Sequence, residues 1–256
     1  MWKLWVVFSL LGTLAFGFDH NHASWDAWLK KYVTVRGAVS TVDYKLAKVN
    51  LAELESYLKV LESVGAKEFL AFSEPQKLAF LINSYNAFTV KLILNHYPVK
   101  SIKKIGSLFS SPWKMKFFKL FGEDSYLDQI EHERIRKEFA EPRIHFAVVC
   151  ASKGCPALRN EAFRADKLES QFESAAMNFL KDSERNLYGK EKNEFQLSKI
   201  FDWYGDDFKK NFGSVQAFVA SRLAQNPEEE ARMKSASLKF LDYDWSLNEA
   251  TATPKS

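Results

Sequence analysis

The sequence predicts an α+β fold, in the form of a mainly helical single domain with a small β-sheet. Apolar residues recur at helical spacing through most of the chain, and only a few short runs have strand character. No glycine-, serine- and proline-rich stretch divides the 256 residues, of which 46% are hydrophobic, so the chain can bury one large core. A papain- or transglutaminase-like arrangement is one form that this fold could take.

Helices are predicted for the first part of the chain. Residues at helical spacing mark the first two: Trp25, Trp28, Leu29 and Tyr32, then Leu51, Leu54, Leu58 and Leu61. The longest periodic element is 75–96, which Pro98 ends, and its apolar circumference predicts a central core helix. Polar residues within it exclude a membrane span: Lys77, Asn83, Asn86 and Lys91.

The middle of the chain predicts a helix, a strand and another helix. Ser125 followed three residues later by Asp128 is a capping pattern, so a helix is expected over 126–138. The apolar run 144–149 has strand character, and Pro156 is a natural first residue of a helix. The later elements are expected as helices at 168–179, 199–208 and 214–223 and as strands at 195–197 and 238–245.

The first 17 residues are typical of a secretory signal peptide. Lys3 provides a positive charge, residues 4–14 are an apolar run, and 15–17 match a small-x-small cleavage site. The run is far shorter than the ~20 apolar residues that cross a bilayer. We therefore expect a mature chain without a membrane span, exported to the periplasm or the extracellular space. The expected division is a signal peptide at 1–17, one globular domain at 18–248 and a flexible tail at 249–256.

The charge pattern gives no reason to expect a nucleic-acid partner. The 36 basic and 32 acidic residues are spread along the chain and leave a net charge of only +4. One stretch, 100–119, holds six lysines and no acidic residue. A solvated hairpin or loop with a few core aromatics is favoured there over a face for acidic polymers or lipid head groups.

The two cysteines, Cys150 and Cys155, are the strongest candidates for chemistry. Cys150 would sit at the tip of the expected strand. Cys155 precedes Pro156, so its thiol would lie near a helix N-terminus that lowers its pKa. In an oxidising compartment the two could instead form a disulfide, but their spacing alone does not establish the required geometry.

A cysteine nucleophile needs a base, and the chain has five histidines. His132 and His145 are the candidates, because the others lie near the expected mature terminus or at a helix end. Residues five apart in a regular strand point to opposite faces, so His145 would not meet Cys150 unless the strand bulges. His132 is therefore preferred as the base, with a half-buried core histidine as its structural alternative.

Three more side chains are expected at or near the site. Glu131 falls within the apolar arc of its helix, where it could pair with Arg134 or point into the site. Asn83 and Asn86 share one face of the long helix. They could hydrogen-bond neighbouring backbone, or one could orient the catalytic imidazole or donate to an oxyanion.

Several sequence blocks together carry a family resemblance. They are 80–88 (FLINSYNAF), 127–132 (LDQIEH), 143–156 (RIHFAVVCASKGCP) and 200–204 (IFDWY) with Asp207 and Phe208. They resemble the signature blocks of the domain-of-unknown-function 547 family, in the same order and over roughly 18–247. The resemblance implies a group whose bacterial members are often exported. Its plant members lack a cysteine at the place of Cys155, which favours Cys150 as nucleophile, and Gly154 stands where a serine is common in bacterial members.

Two functional classes follow. The first is a thiol-dependent hydrolase or acyl transferase, amidase- or peptidase-like, with Cys150 as nucleophile and His132 or His145 as base. Glu131 or an asparagine would orient the base, and backbone N–H groups at 151–154 would form an oxyanion site. The substrate would be an unidentified small molecule or peptide, with cell-envelope material as the natural setting.

The second class is a non-enzymatic envelope protein with a binding or structural role. It would have a buried Asn/Glu/His network and a Cys150–Cys155 disulfide. A redox role is a weaker hypothesis, because the chain has no Cys-x-x-Cys pair. No cofactor and no metal are expected, since the cysteine and histidine spacings match no usual zinc pattern.

Overall fold

The computed structural model describes residues 17–107 and 110–250. Over these residues the protein has the expected α+β fold, with helices that surround one long buried helix and three small sheets at the periphery. Residues 1–16 of the expected signal peptide and 251–256 of the expected tail lie outside the described residues. Within the described part of the chain, no helix combines the length and the apolar character needed to cross a membrane.

Most of the expected helices are confirmed, including those near 25–32, 51–61, 168–179 and 214–223. The helices are α1 (Ala23–Tyr32), α2 (Tyr44–Val49), α3 (Leu51–Ser63), α4 (Ala66–Ala71), α5 (Glu74–His96), α6 (Arg136–Glu138), α7 (Leu168–Leu180), α8 (Ile200–Trp203), α9 (Gly205–Phe212), α10 (Val215–Leu223) and α11 (Pro227–Lys234). The helix expected over 126–138 is largely a π-helix, Gln129–Ile135, that runs directly into α6.

Two of the three sheets each consist of two consecutive strands, and the third also includes a strand from later in the chain. They are β1 (Val33–Arg36), β2 (Val39–Val42), β3 (Phe118–Leu120), β4 (Glu123–Ser125), β5 (Leu187–Gly189), β6 (Glu194–Ser198) and β7 (Ser237–Leu241). β1–β2 and β3–β4 are antiparallel hairpins. In the third sheet β6 pairs antiparallel with β5 and parallel with β7, with Phe195 opposite Leu238.

Helix α5 is the centre of the main hydrophobic core. A capping box fixes its start, because the Ser73 side chain accepts from Gln76 N–H and the Gln76 side chain accepts from Ser73 N–H. Buried residues lie all around it, and Phe88 stacks on Phe118 of β3 with ring centroids 3.8 Å apart. The stretch 100–119 therefore leads into a hairpin whose aromatic residue packs in the core, as its favoured interpretation predicts.

A second aromatic core lies beneath the segment that carries His145. Phe146 is fully buried there and packs against Phe208 of α9 and Phe218 of α10, with centroids 5.9 and 5.8 Å apart. Burial of this ring holds the preceding residue, His145, against α9. The second core thus positions part of the candidate site.

The prediction of a strand at 144–149 is wrong. A 3₁₀-helix occupies Pro142–Phe146 instead, and irregular backbone follows it. Pro142 provides the fixed φ of a helical start. A short apolar run that is buried on all sides cannot be distinguished from a strand by periodicity, so the sequence pattern was misleading.

Three other element predictions are also corrected. No helix begins at Pro156, and the backbone is irregular until α7. The helix expected at 199–208 is divided into α8 and α9, because Tyr204 leaves the helical conformation. The strand expected at 238–245 ends with β7, after which the chain crosses towards the cysteines.

The segment 243–250 connects distant parts of the fold. It accepts hydrogen bonds from the backbone N–H groups of Lys153 and Val42, at 2.8 and 2.9 Å. It donates to the carbonyl groups of Ala151 and Lys100, at 3.1 and 2.8 Å. The loop that contains both cysteines is therefore held by the last described residues of the chain.

Candidate active site

A cleft of about 260 Å³ brings the predicted site residues together, apart from Asn83 and Asn86. Both cysteines line it, together with both candidate histidines and Glu131. The remaining lining residues are mostly aromatic: Tyr85, Trp113, Trp203, Tyr204, Tyr243 and Trp245, with Asp128, Val148, Pro156 and Ile200.

The two thiols face each other at the base of this cleft. Cys150 Sγ lies 2.6 Å from Cys155 Sγ, which is longer than a disulfide bond and closer than the van der Waals contact of two sulfurs. Cys150 is partly exposed, whereas Cys155 is buried. The loop therefore presents Cys150 to the cleft with Cys155 behind it.

A set of hydrogen-bond donors surrounds Cys155 Sγ. The backbone N–H of Cys150 donates to it at 3.0 Å and the Tyr243 hydroxyl at 3.1 Å. Ser152 Oγ lies 3.3 Å away and donates to Tyr243 Oη at 3.0 Å, so both hydroxyl groups are oriented. This arrangement favours a negative charge on the sulfur of Cys155.

The two thiols titrate as one coupled pair. Burial opposes ionisation of Cys155, but hydrogen bonds from Cys150, Ser152 and Tyr243 outweigh it and lower its pKa to about 6. The hydrogen bond to Cys155, with burial, raises the pKa of Cys150 well above that of an ordinary thiol. The expected direction for Cys155 is therefore found, but its cause is this set of donors and not a helix N-terminus.

His145 is fully buried and is oriented by Asp207. Its Nε2 lies 2.7 Å from Asp207 Oδ2, and its ring stacks on Tyr204 with centroids 3.8 Å apart. A carboxylate can only accept, so Nε2 carries the proton. Nδ1 is then a lone-pair acceptor, and it is buried without a hydrogen-bond partner. This is the tautomer that a general base requires.

Burial keeps His145 neutral, and hydrogen bonds keep Asp207 ionised. Burial lowers the pKa of His145, so its imidazole is neutral at pH 7. Burial would raise the pKa of Asp207, but hydrogen bonds from His145 and Arg136 outweigh it and lower that pKa. Arg136 makes a bidentate pair with the carboxylate, at 2.7 and 3.0 Å.

His132 lies in the same cleft, but both of its ring nitrogens have charged neighbours. Its Nδ1 is 3.2 Å from Arg136 Nη1, and its Nε2 is 3.8 Å from Asp128 Oδ1. A guanidinium group only donates, so Nδ1 of a neutral His132 is occupied as an acceptor. Both nitrogens of the base preferred from the sequence thus face charged side chains.

Glu131 points into the site and not towards Arg134. Tyr204 donates to its carboxylate at 2.8 Å, and Arg134 pairs instead with Glu138 at 3.5 Å. The π-helix explains the difference, because its i→i+5 hydrogen bonds displace side chains from their α-helical positions. The expected alternative of a Glu131–Arg134 pair is therefore wrong.

Comparison with known proteins supports the family resemblance. The model of the family described as "Protein of unknown function, DUF547" matches residues 69–180. The match covers 112 of the 256 residues and supports the resemblance to the DUF547 family that the sequence blocks carry. No curated protein and no solved structure matches the chain. The matched range holds α5, both cysteines and His145, whereas Tyr204, Asp207 and Tyr243 lie beyond it.

Two asparagines within the matched residues 69–180 hydrogen-bond to the backbone of other segments. Asn83 donates to Phe163 O at 2.7 Å and accepts from Phe163 N at 3.0 Å. Asn86 donates to Ala147 O and accepts from Val149 N, both at 2.9 Å. Neither amide contacts a histidine, so the structural alternative describes both, and Asn86 fixes the residues just before Cys150.

Two of the four backbone N–H groups expected to form an oxyanion site at 151–154 are used within the fold. No helix starts there, and the N–H groups of Lys153 and Gly154 donate at 2.8 Å to carbonyls of segment 243–250. Ala151 adopts a left-handed conformation with φ of 60°. A sharp, strained turn therefore follows Cys150 directly.

Several residues that complete this site could not be recognised as a group from the sequence. Asp207 was present in the block that carries the family resemblance, and that was the available signal. Ser152 had the same signal, because it lies between the cysteines in the block 143–156. Tyr243 and Arg136 had none, because only the folded chain brings them to the thiols and to Asp207. Within the described ranges no group of histidine, cysteine and carboxylate side chains has the arrangement of a metal site.

Proposed function

We propose that this protein is a thiol-dependent hydrolase or acyl transferase in which Cys150 is the nucleophile and His145, oriented by Asp207, is the base. One observation carries the proposal. Cys150 and His145 line the same cleft, and His145 Nδ1 is a buried acceptor without a hydrogen-bond partner. A nucleophile, a base and a group that orients the base are the three parts that such catalysis needs.

The chemistry would run in two halves. Cys150 Sγ attacks the carbonyl carbon of an amide or ester, and its proton passes to His145 Nδ1 directly or through one water. The C–N or C–O bond breaks as the imidazolium returns that proton to the leaving amine or alkoxide. Water, deprotonated by the same nitrogen, then cleaves the thioester and restores the thiol, and an amine in place of water gives acyl transfer.

Asp207 and Arg136 support this cycle electrostatically. The Asp207 carboxylate stabilises the imidazolium that forms after proton transfer, as in other triads. Arg136 keeps that carboxylate ionised and holds it in place through two hydrogen bonds. In the structure no hydrogen bond joins His145 to Cys150 among the described residues, and catalytic contacts of this kind often shorten only when substrate binds.

Acylation by a chromogenic acetate ester tests the proposal. Cys150 should carry the acetyl group in the peptide map, and Cys150→Ala should remove it. His145→Gln should slow acylation by about 10²–10⁴-fold. His96→Gln, at the exposed end of α5, is the matched control and should acylate at the wild-type rate.

Other results of the same experiment would contradict the proposal. Loss of acylation in His132→Gln, with His145→Gln unaffected, would transfer the role of base to His132. A folded protein that no ester acylates at Cys150 would favour the non-enzymatic envelope protein with a binding or structural role. Circular dichroism of each variant separates lost chemistry from lost folding.

We also propose that the chain is exported and processed before Phe18. The Phe18 backbone N lies 3.3 Å from Glu68 Oε1, and its ring packs against Phe72 and Phe80 with centroids 5.7 and 5.1 Å apart. Processing there would turn this nitrogen into an ammonium group that faces a carboxylate. N-terminal sequencing of protein from the periplasm of expressing bacteria tests this, and a chain that still begins at Met1 would contradict it.

A further inference from the structure

We propose that Cys150 and Cys155 are a reversible redox pair, which external disulfides close into an intramolecular disulfide and which thiols reopen. This site of modification goes beyond the proposed acyl chemistry and does not depend on it. The two sulfurs lie 2.6 Å apart, and a disulfide bond needs ~2.05 Å. Closure therefore requires a movement of only about half an ångström between the sulfurs.

The two cysteines differ in access, and this sets the order of events. Cys150 is partly exposed and lines the cleft, whereas the Cys155 residue is 5% exposed and lies behind it. An external disulfide that enters the cleft meets Cys150 first. Cys155 is placed to attack the mixed disulfide that forms there, as a resolving thiol does.

The surroundings of Cys155 favour that second step. Its sulfur accepts from the Cys150 backbone N–H and from the Tyr243 hydroxyl, and both contacts stabilise a thiolate. The thiolate is the form that attacks a disulfide. In a buried dithiol without such donors, burial would suppress ionisation of both thiols. Here the donors favour ionisation of Cys155.

The exchange balances without a further reactant. Cys150 passes its proton to the Cys155 thiolate as its own sulfur attacks one sulfur of the external disulfide, the external S–S bond breaks, and one external thiolate leaves and takes up that proton. Cys155 thiolate then attacks Cys150 Sγ, the mixed S–S bond breaks, and the second external thiolate leaves. The cysteine pair loses two electrons and two protons, and the external disulfide gains them.

Closure would also control the proposed acyl chemistry. Cys150 Sγ cannot attack a carbonyl group while it is bonded to Cys155. The pair would thus make the site inactive under oxidising conditions and active after reduction. The reactant class is a disulfide of a small thiol or of a dithiol protein.

Equilibration of the purified protein with glutathione and glutathione disulfide tests the proposal. With excess glutathione disulfide the native protein should give the Cys150–Cys155 bridge as its main product, with less than about a tenth as mixed disulfide, detected by alkylation and peptide mapping. Dithiothreitol should reopen it completely. A native protein that stops at the mixed disulfide, or a bridge that dithiothreitol cannot open, overturns the proposal.

Single-cysteine variants test the order of attack. Cys155→Ala should stop at a mixed disulfide of Cys150 with glutathione. Cys150→Ala should form its adduct at least about tenfold more slowly, because Cys155 is buried. Equal rates for the two variants, with both folded by circular dichroism, would contradict the assigned roles.

One further variant separates this proposal from the proposed function. His145→Gln should lose ester acylation but still form the bridge to the wild-type extent at equilibrium. A protein that exchanges with glutathione but is never acylated retains the redox pair and loses the hydrolase. A protein that is acylated but never bridged retains the hydrolase and loses the redox pair.

Discussion

Gly154 lies directly against the ring of Tyr243. A Cβ atom at position 154 would lie 2.9 Å from two carbons of that ring and 3.0 Å from the carbonyl oxygen of Asp244. The absence of a side chain at one residue therefore lets the hydroxyl of the other reach Cys155. A serine at 154, the residue that the family resemblance associates with this place, could not coexist with this ring position.

Gly154→Ala should displace Tyr243 and weaken its hydrogen bond to Cys155. We expect a loss of about 1–3 kcal/mol in the free energy of unfolding, as for other overpacked sites, and a higher pKa for Cys155. Urea unfolding and alkylation against pH measure the two effects. Gly65→Ala is the control, because no atom lies within 4 Å of its added Cβ. A Gly154→Ala protein with wild-type thiol reactivity would contradict the role of Tyr243.

The stability of the reduced protein should rise with pH between about 6 and 9. Cys155 has a pKa of about 6 when folded, against 9.0 for the ordinary thiol, so the unfolded state binds more protons in this window. The stabilisation is fully present above the unfolded pKa and is lost as the pH falls through the folded pKa. Above that window the raised pKa of Cys150 acts in the opposite direction.

Urea unfolding of wild type and Cys155→Ser at several pH values in that window measures this dependence. The gap between the two proteins should widen as the pH rises. A constant gap would show that the thiolate of Cys155 does not contribute to stability.

Asn86→Ala and Asn83→Ala form a matched pair. Each substitution removes two buried side chain to backbone hydrogen bonds, so each should cost about 2–4 kcal/mol in the free energy of unfolding. Only Asn86 holds the residues next to Cys150. Alkylation of Cys150 should therefore change by severalfold in Asn86→Ala and stay near wild type in Asn83→Ala. Equal changes in both would point to general loosening instead.

Ala151→Gly should give a higher free energy of unfolding than an alanine-to-glycine change at a position without a positive φ. The left-handed conformation costs a residue with a Cβ about 1–2 kcal/mol, and glycine removes that cost. Ala140→Gly, at an exposed position without a positive φ, is the control. Thermal or urea unfolding should place the two variants about 1–2 kcal/mol apart, with Ala151→Gly the more stable. The reverse order would mean that the strain at Ala151 is compensated by packing.

The parts of the fold that local signals determine could be predicted from the sequence. Helix α5 follows from its apolar periodicity, its capping residues and Pro98, and all of these lie within or beside it. The run 144–149 could not be assigned correctly, because complete burial removes the periodicity that separates a strand from a helix. The error changed the choice of base, since His145 was set aside on the alternation of strand residues.

The residues that line the candidate site could be predicted from the sequence better than the contacts between them. Both cysteines, both histidines and Glu131 do line one cleft. The partner of His145 is 62 residues away in sequence, and Tyr243 is 88 residues from Cys155. Such contacts depend on how α9 and the segment after β7 pack, which no local pattern encodes.

The position of segment 243–250 has a consequence for the order in which the protein is made. Tyr44 donates to Asn248 across 204 residues of sequence, and Tyr243 from the same end of the chain completes the surroundings of the thiols. During synthesis from the N-terminus both cysteines leave the ribosome long before this segment does. Contacts of such long range form late in folding. The nascent chain therefore carries two ordinary thiols, and the reactive pair comes into existence only when the last strand and the residues after it have joined the fold.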